Sequence, residues 1–283
     1  GYGGFYFVLV DDFLWECTLR GKYRIKDQDF LVGDRVLITP IDEKKAVIEE
    51  VIKRNNQLER PPVANVEQVI IILSFTKPAP DFNLLDRLLI LTEFEGLDSI
   101  VCFNKKDLVV NDSAEEMLKI YKKIGYKTVG VSAATGENIS LIKKITKNKI
   151  SVLAGPSGAG KSSILNAVQP GLFLKTGSVS ERTQRGRHTT RHVELLQLDY
   201  GGFIADTPGF SRISLPEIER GKLAFYFPEI ARAGGNCRFT SCLHQGELGC
   251  TVQTAIEGGQ INAERYKNYL YFLNELTERE RRY

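Results

Sequence analysis

The chain opens with short apolar and β-branched runs separated by charged or glycine-containing breaks. FYFVLV (5–10), FLWECTLR (13–20), DRVLITPI (34–41) and AVIEEVI (46–52) each read as a strand. About five short strands in roughly 60 residues predict a small closed barrel of the OB type, and Pro61-Pro62 marks its end, giving a first domain over 1–62. From Val66 the pattern changes. VIIILSF (69–75) is apolar throughout, as a strand covered on both faces must be. NLLDRLLILTEFE (83–95) then reads as a helix, SIVCF (99–103) as a strand, SAEEMLKIYKKI (113–124) as a helix and KTVGVS (127–132) as a strand. The alternation continues with helix NISLIKKI (138–145), strand ISVLAG (150–155) and helix KSSILNAV (161–168), followed by strands HVELLQL (192–198) and GFIAD (202–206). Strands alternating with helices predict an α/β domain over 63–215, built on a parallel sheet. Beyond Leu215 the chain becomes helical and irregular, and INAERYKNYLYFLNELTERERRY (261–283) has helical apolar spacing between charges, so 216–283 is expected to be a mainly helical domain.

Composition narrows this multidomain picture. With 42% hydrophobic and 26% charged residues over 283 positions, cores can form without disulfides. The net charge of +3 excludes a uniform cationic coat but not local basic patches. No apolar run is long enough to cross a bilayer, so no membrane partner is expected. GYGGFYFVLV lacks the basic start and small-residue cleavage site of an export signal and reads as a strand, one that looks clipped at its beginning. Three of the five cysteines crowd into 237–250, which suits a metal site in a reducing cytosol better than a disulfide framework, and a cytoplasmic location follows.

The chemistry is concentrated in a few motifs. Gly155, Pro156, Ser157, Gly158, Ala159, Gly160, Lys161, Ser162 and Ser163 form GPSGAGKSS, a complete phosphate-loop pattern between a strand and a helix. Its glycines let successive N–H groups turn toward phosphate oxygens, and the helix N-terminus adds partial positive charge. Lys161 is expected to reach the β- and γ-phosphates and Ser162 to ligate Mg²⁺. Asn104, Lys105, Lys106 and Asp107 follow a strand directly, and a carboxylate there can accept from guanine N1–H and its exocyclic amine, a donor pair that adenine lacks. The stem of Lys105 would cover the base. N-K-x-D alone is a weak signal; Ser132, Ala133 and Ala134 of SAATG, at another strand end, strengthen it, because their N–H groups can hold guanine O6. The base motif precedes the phosphate motif, the reverse of the ordinary order, which implies a circularly permuted GTP-binding domain.

Asp206 of DTPG is expected to hold Mg²⁺ through a water and the Gly209 N–H to sense the γ-phosphate. A magnesium-ligating threonine belongs in the polar stretch 178–191, as Thr189 or Thr190. Phe210 stands where other GTPases carry the glutamine that orients the attacking water, so His188 is the best local candidate for that task. Intrinsic turnover should then be slow, on the order of 10⁻⁴ to 10⁻² s⁻¹. Cys237, Cys242, His244 and Cys250 supply a Cys₃His set that fits one structural, tetrahedral Zn²⁺. Arg182, Arg185, Arg187 and Arg191 cluster near the first switch, and Tyr6, Trp15 and Tyr23 are candidate base-stacking residues that core packing explains equally well.

GGFYFV, LVGDRV, RNNQLERPPVANVEQ, NKKDL, SAATGEN, GPSGAGKSSILN, GRHTTR, DTPGF and CRFTSCLHQGELGC together resemble one family along nearly the whole chain: the ribosome small subunit-dependent GTPase A family, RsgA, also known as YjeQ or YloQ. The resemblance implies an OB domain, a permuted GTPase domain and a zinc-binding domain in that order. It implies hydrolysis of GTP to GDP stimulated by the small ribosomal subunit late in its maturation; the subunit and its rRNA are the expected partners, and a monomer is expected. It also points to the histidine of GRHTT, His188, in hydrolysis. Leu248 stands before Gly249-Cys250 where the family often has proline, a departure that leaves the ligand count intact. Two other readings compete: a P-loop kinase acting on a small molecule, and a zinc-dependent nucleic-acid-binding module with a purely regulatory nucleotide. GTP turnover with and without small subunits separates all three.

Overall fold

The computed structural model describes residues 5–11, 13–20, 30–59, 61–110, 113–172, 194–206 and 214–281, the side chains of Glu59, Ser113 and Asp206 aside. The chain divides into two compact units, one of residues 1–66 with 193–195, the other of 67–192 with 196–283.

In the first unit β1 (Tyr6–Val10), β2 (Phe13–Leu19), β3 (Val36–Asp42) and β4 (Lys45–Val51) form one sheet in the order β1-β2-β4-β3. β1 and β2 pair antiparallel, β2 and β4 parallel, and β3 and β4 antiparallel with register shifts between Leu37 and Ile38 and between Pro40 and Asp42. Such irregularities bend a strand and increase its twist, which a small curved sheet needs. The inward side chains are Cys17, Ala46 and Ile48, and Tyr6, Val8, Trp15, Leu19, Phe30, Val36 and Ile38 pack against them. Tyr6 and Trp15 are therefore core-packing residues; Tyr23 lies outside the described residues. β5 (Gln57–Glu59) and β6 (Pro62–Ala64) make a separate antiparallel pair. Pro62 is the first residue of β6. Gly33 at φ 92° is required beside this pair, because a Cβ there would lie 2.3 Å from the Ala64 carbonyl oxygen.

The second unit is built on a six-stranded sheet in the order β11-β12-β10-β7-β8-β9, with β7 (Gln68–Ser74), β8 (Asp98–Asn104), β9 (Lys127–Gly130), β10 (Ile150–Ala154), β11 (Glu194–Gln197) and β12 (Phe203–Asp206). The pairs β12-β10, β10-β7, β7-β8 and β8-β9 are parallel. Every residue of β7 is buried, which explains its uninterrupted apolar run. Helices α1 (Phe82–Phe94), α2 (Ser113–Ile124), α3 (Ile139–Thr146) and α4 (Lys161–Val168) connect the strands. Asp81 caps α1, its Oδ1 accepting from the Leu84 N–H at 2.9 Å. One core layer runs from Ile70, Ile72 and Cys102 to Ile142, Ile164 and Leu198.

Beyond the sheet lie a 3₁₀ turn (Arg220–Tyr226), α5 (Pro228–Gly234), α6 (Thr251–Glu257) and α7 (Ala263–Glu280). Asn262 caps α7 by accepting from the N–H groups of Glu264 and Arg265. Phe227, Ile230, Val252, Phe272 and Leu276 form the core of this helical region, and Ile90 of α1 belongs to it as well.

Candidate nucleotide site and metal centre

In a parallel sheet all strands end on the same edge, and ligands bind there. β8 ends at Asn104, β9 at Gly130, two residues before Ser132, β10 at Ala154 before the phosphate loop, and β12 at Asp206. Residues 104–107, 132–134 and 155–163 are thereby delivered to one edge although up to 59 positions of chain separate them. The buried Asn104 side chain ties the three together. Its Nδ2 donates to the Ala159 carbonyl at 3.1 Å, and its Oδ1 accepts from the Ala133 N–H at 3.1 Å.

The phosphate loop needs its glycines for contact as well as for conformation. A Cβ on Gly155 (φ 133°) would lie 2.0 Å from the Ile72 carbonyl oxygen, and one on Gly160 (φ 96°) 2.1 Å from Asn104 Nδ2. Lys161 folds back over the loop, Nζ donating to the carbonyls of Gly155 and Pro156, both at 2.8 Å. Pro156 is half-buried and Ala159 buried, while Ser157, Gly158, Ser162 and Ser163 are exposed along the loop and first helical turn.

At the clamp Lys105 adopts φ 65°, and its side chain runs across the edge so that Nζ donates to the carbonyls of Gly158, at 2.8 Å, and of Lys77. The Asp107 carboxylate accepts from the Ser132 hydroxyl, whose oxygen in turn accepts from the Thr135 N–H at 3.1 Å. Lys106 pairs with Glu137 at 2.7 Å, and the bond to that carboxylate raises the lysine's pKa. Ala134 is exposed beside them. Sequence reading missed two participants. One is Glu137. The other is the turn after β7, where Ser74 Oγ donates to the Lys77 carbonyl at 3.2 Å and so shapes the turn that receives Lys105. The signal for that turn was available, since 74–78 also follows a strand end. His188, Thr189, Thr190 and Gly209 lie outside the described residues, as do Arg182, Arg185, Arg187 and Arg191.

Cys237, Cys242, His244 and Cys250 come together with their ligand atoms all within 4.8 Å of one another. Tetrahedral Zn²⁺ with standard bond lengths sets neighbouring donors about 3.4 to 3.8 Å apart. Here Cys237 Sγ lies 3.5 Å from His244 Nδ1 and 4.0 Å from Cys250 Sγ, and Cys250 Sγ lies 3.6 Å from His244 Nδ1. The donor set and spacing fit that ion. Burial lowers the His244 pKa, which keeps the imidazole neutral and able to ligate, and pushes the Cys242 thiol up to about 12. At Cys237 burial is outweighed by hydrogen bonds from Thr251 and the neighbouring thiols, leaving that group below its ordinary value. His244 takes φ 60°, and its ring occupies the space a Cβ on Gly234 would need, at 2.7 Å. Tyr269 and Tyr266 donate to the carbonyls of Leu243 and His244 at 2.8 and 2.7 Å, which anchors the loop on α7. Cys17 and Cys102 are fully buried elsewhere, and burial raises both thiols, Cys102 to about 12.

A buried ionic cluster joins this module to the sheet's helices. Arg265 of α7 donates from Nε and Nη2 to the two oxygens of Glu229 at 2.7 and 3.1 Å, and from Nη1 to Asp86 of α1. Asp86 also accepts from Tyr121 at 2.9 Å and Asn268 at 2.6 Å, and the guanidinium lies over the ring of Phe227, 4.7 Å from its centroid. Desolvation raises the Asp86 pKa despite the lowering effect of Arg265. Arg87 of α1 adds a forked pair to Glu275 at 3.0 and 2.6 Å. No helix among the described residues is long and apolar enough to cross a membrane.

Two family models match: RsgA GTPase over residues 51–216 and RsgA N-terminal domain over residues 1–48. A protein of Moorella thermoacetica named small ribosomal subunit biogenesis GTPase RsgA is 49% identical over 280 residues, which cover 99% of this chain and 96% of that protein. One of the same name from Carboxydothermus hydrogenoformans is 45% identical over 281 residues, 99% of this chain and 97% of its own. Among solved structures, YjeQ from Thermotoga maritima superposes with a TM-score of 0.83 at 36% identity, covering 98% of this chain and 95% of its own. YloQ, a circularly permuted GTPase, superposes with a TM-score of 0.81 at 35% identity, covering 99% and 93%.

Proposed function

Since the chain belongs to the RsgA GTPase family, and is thus a GTP hydrolase, we propose that it works on the small ribosomal subunit, hydrolysing GTP there during late maturation. The observation that carries the nucleotide assignment is the Asn104 knot, which holds the base-reading and phosphate-reading segments 3.1 Å apart on one sheet edge. In this reading Asp107 accepts from guanine N1–H and the exocyclic amine, oriented by Ser132, while the stem of Lys105 covers the base. The Ala134 N–H faces guanine O6, joined by that of Ala133 on leaving Asn104 Oδ1, and Asn104 and Lys106 brace the clamp. The backbone of 155–160 cradles the phosphates, and Lys161 swings from the Gly155 and Pro156 carbonyls to the β- and γ-phosphates. Ser162, either Thr189 or Thr190, and Asp206 through a water hold Mg²⁺, with Ser163 beside the α-phosphate.

Mg²⁺, when bound by these residues, would supply charge neutralisation to the phosphates. His188 positions the water that attacks the γ-phosphorus, and Gly209 registers the γ-phosphate. Cys237, Cys242, His244 and Cys250 hold one structural Zn²⁺ in a domain over 216–283, following an OB domain over 1–62 and the permuted GTPase domain over 63–215. The protein acts as a cytoplasmic monomer with rRNA as its contact on the subunit. The test is GTP turnover by the full chain with and without purified small subunits. Strong stimulation is expected; turnover indifferent to subunits, or phosphoryl transfer to a small molecule, overturns the reading. His188→Ala should slow the stimulated rate while leaving GTP affinity near its starting value, and an equal fall in affinity would remove that residue's role.

A further inference from the structure

We propose that a cavity between α2 and the metal module is a docking site for an acidic peptide segment of a partner protein, one that carries an aliphatic anchor. The cavity, of about 500 Å³, opens between the last turns of α2, helix α5 and the turn that joins α6 to α7. That volume is in the range of cavities that enclose small ligands, so it accepts a few side chains and not the flat face of a domain.

Its rim is cationic. Lys119 and Lys123 stand one turn apart on α2, and Arg232 faces them from α5; all three are exposed. Arg232 donates from Nη2 to the Ile124 carbonyl at 3.0 Å, which caps the end of α2 and fixes the guanidinium at the mouth. Among the described residues the single carboxylate in the lining is Glu229, and both its oxygens are engaged by Arg265 at 2.7 and 3.1 Å. The lining residues therefore offer the rim no counterion of their own, and the complementary ligand is anionic.

The floor is aliphatic. Ile124 and Ile261 lie just beneath the surface, Ile120 is half-buried, and Ala233 and Ala255 complete it. Among the described residues no aromatic ring lines the cavity, so they offer no stacking platform for nucleic-acid bases there. A leucine-sized anchor flanked by carboxylates matches both parts, and the exposed Gln260 amide can hydrogen-bond an extended backbone. α2 belongs to the sheet's helices and the other walls to the metal module, so an occupant would bridge the seam that Arg265 closes. None of the nucleotide or metal residues takes part, and the inference stands apart from the assignments above.

Fluorescence anisotropy with the full chain and a fluorescein-labelled peptide of Asp and Glu around two leucines tests it. Saturable binding is expected, weakened about tenfold or more by Lys119→Glu with Lys123→Glu and about threefold by the neutral Lys119→Gln with Lys123→Gln. Both lysines lie on the surface, so basal GTP turnover should not change. Replacing the two leucines of the probe by alanine should weaken binding about fivefold. The proposal is overturned if the wild-type chain shows no saturable binding at millimolar peptide, or if the Gln variant binds as tightly as wild type. It is also overturned if the alanine probe binds equally well, or if an RNA oligonucleotide displaces the peptide and loses more affinity than the peptide does in the variants.

Discussion

In the nucleotide cavity the backbone does most of the holding, whereas in the metal module side chains do it. Gly155 and Gly160 pass so close to Ile72 and Asn104 that no Cβ fits, and the loop is pinned by main-chain carbonyls on Ala159 and Gly158. In the metal module the loop from 235 to 250 is low in apolar content and four candidate ligand atoms meet there, while Arg265 between two carboxylates and the core around Phe227 and Phe272 hold α7 beside it. The contrast teaches where each region is vulnerable. A cavity made of backbone tolerates loss of a contacting side chain and loses affinity. A loop ordered by ligands loses its fold.

Removal of the metal should therefore have the largest effect. Chelation, or Cys250→Ser, withdraws an apparent contribution of up to about 10 to 16 kcal/mol, and circular dichroism with limited proteolysis should show 235–250 opened while the sheet's helices persist. If the module stays protected without metal, its side chains suffice and the contrast fails. Next comes Arg265→Ala, which strands Asp86 and Glu229 without their partner and should cost about 3 to 5 kcal/mol in urea unfolding. Its companion Arg265→Met with Asp86→Asn and Glu229→Gln should recover much of that, because no charge is then left buried alone. Asp107→Asn should weaken GTP binding by about 1.5 to 3 kcal/mol and shift preference toward xanthosine triphosphate, with the melting temperature little changed. Calorimetry showing undiminished GTP affinity would remove the guanine assignment. The smallest effect belongs to Lys106→Ala, whose pair with Glu137 is partly exposed and should be worth under about 1 kcal/mol, measurable only as a slight change in nucleotide affinity that fades with salt.

The sheet was readable because its signals are local. The fully buried β7 had to be apolar at every position, and α2 and α4 span the residues their periodicity marked. The phosphate loop was readable for the same reason, since conformation and contact are written into consecutive glycines. The first unit was less so. The four marked runs are β1 to β4, but their order was not legible, because pairing partners depend on twist and bulges that arise only when strands such as β2 and β4 meet.

Residue order alone pointed to the permuted arrangement, to candidate guanine and phosphate motifs and to a candidate Cys₃His metal set, because each is a short pattern whose chemistry depends on spacing along the chain. Folding decided the rest: that Asn104 bridges to Ala133 and Ala159, that Lys77 receives Lys105, and that Asp86 meets Arg265 across 179 positions. No local pattern encodes those pairs. A buried charge is stable only beside its counter-charge, and which one it meets is set by how whole helices pack.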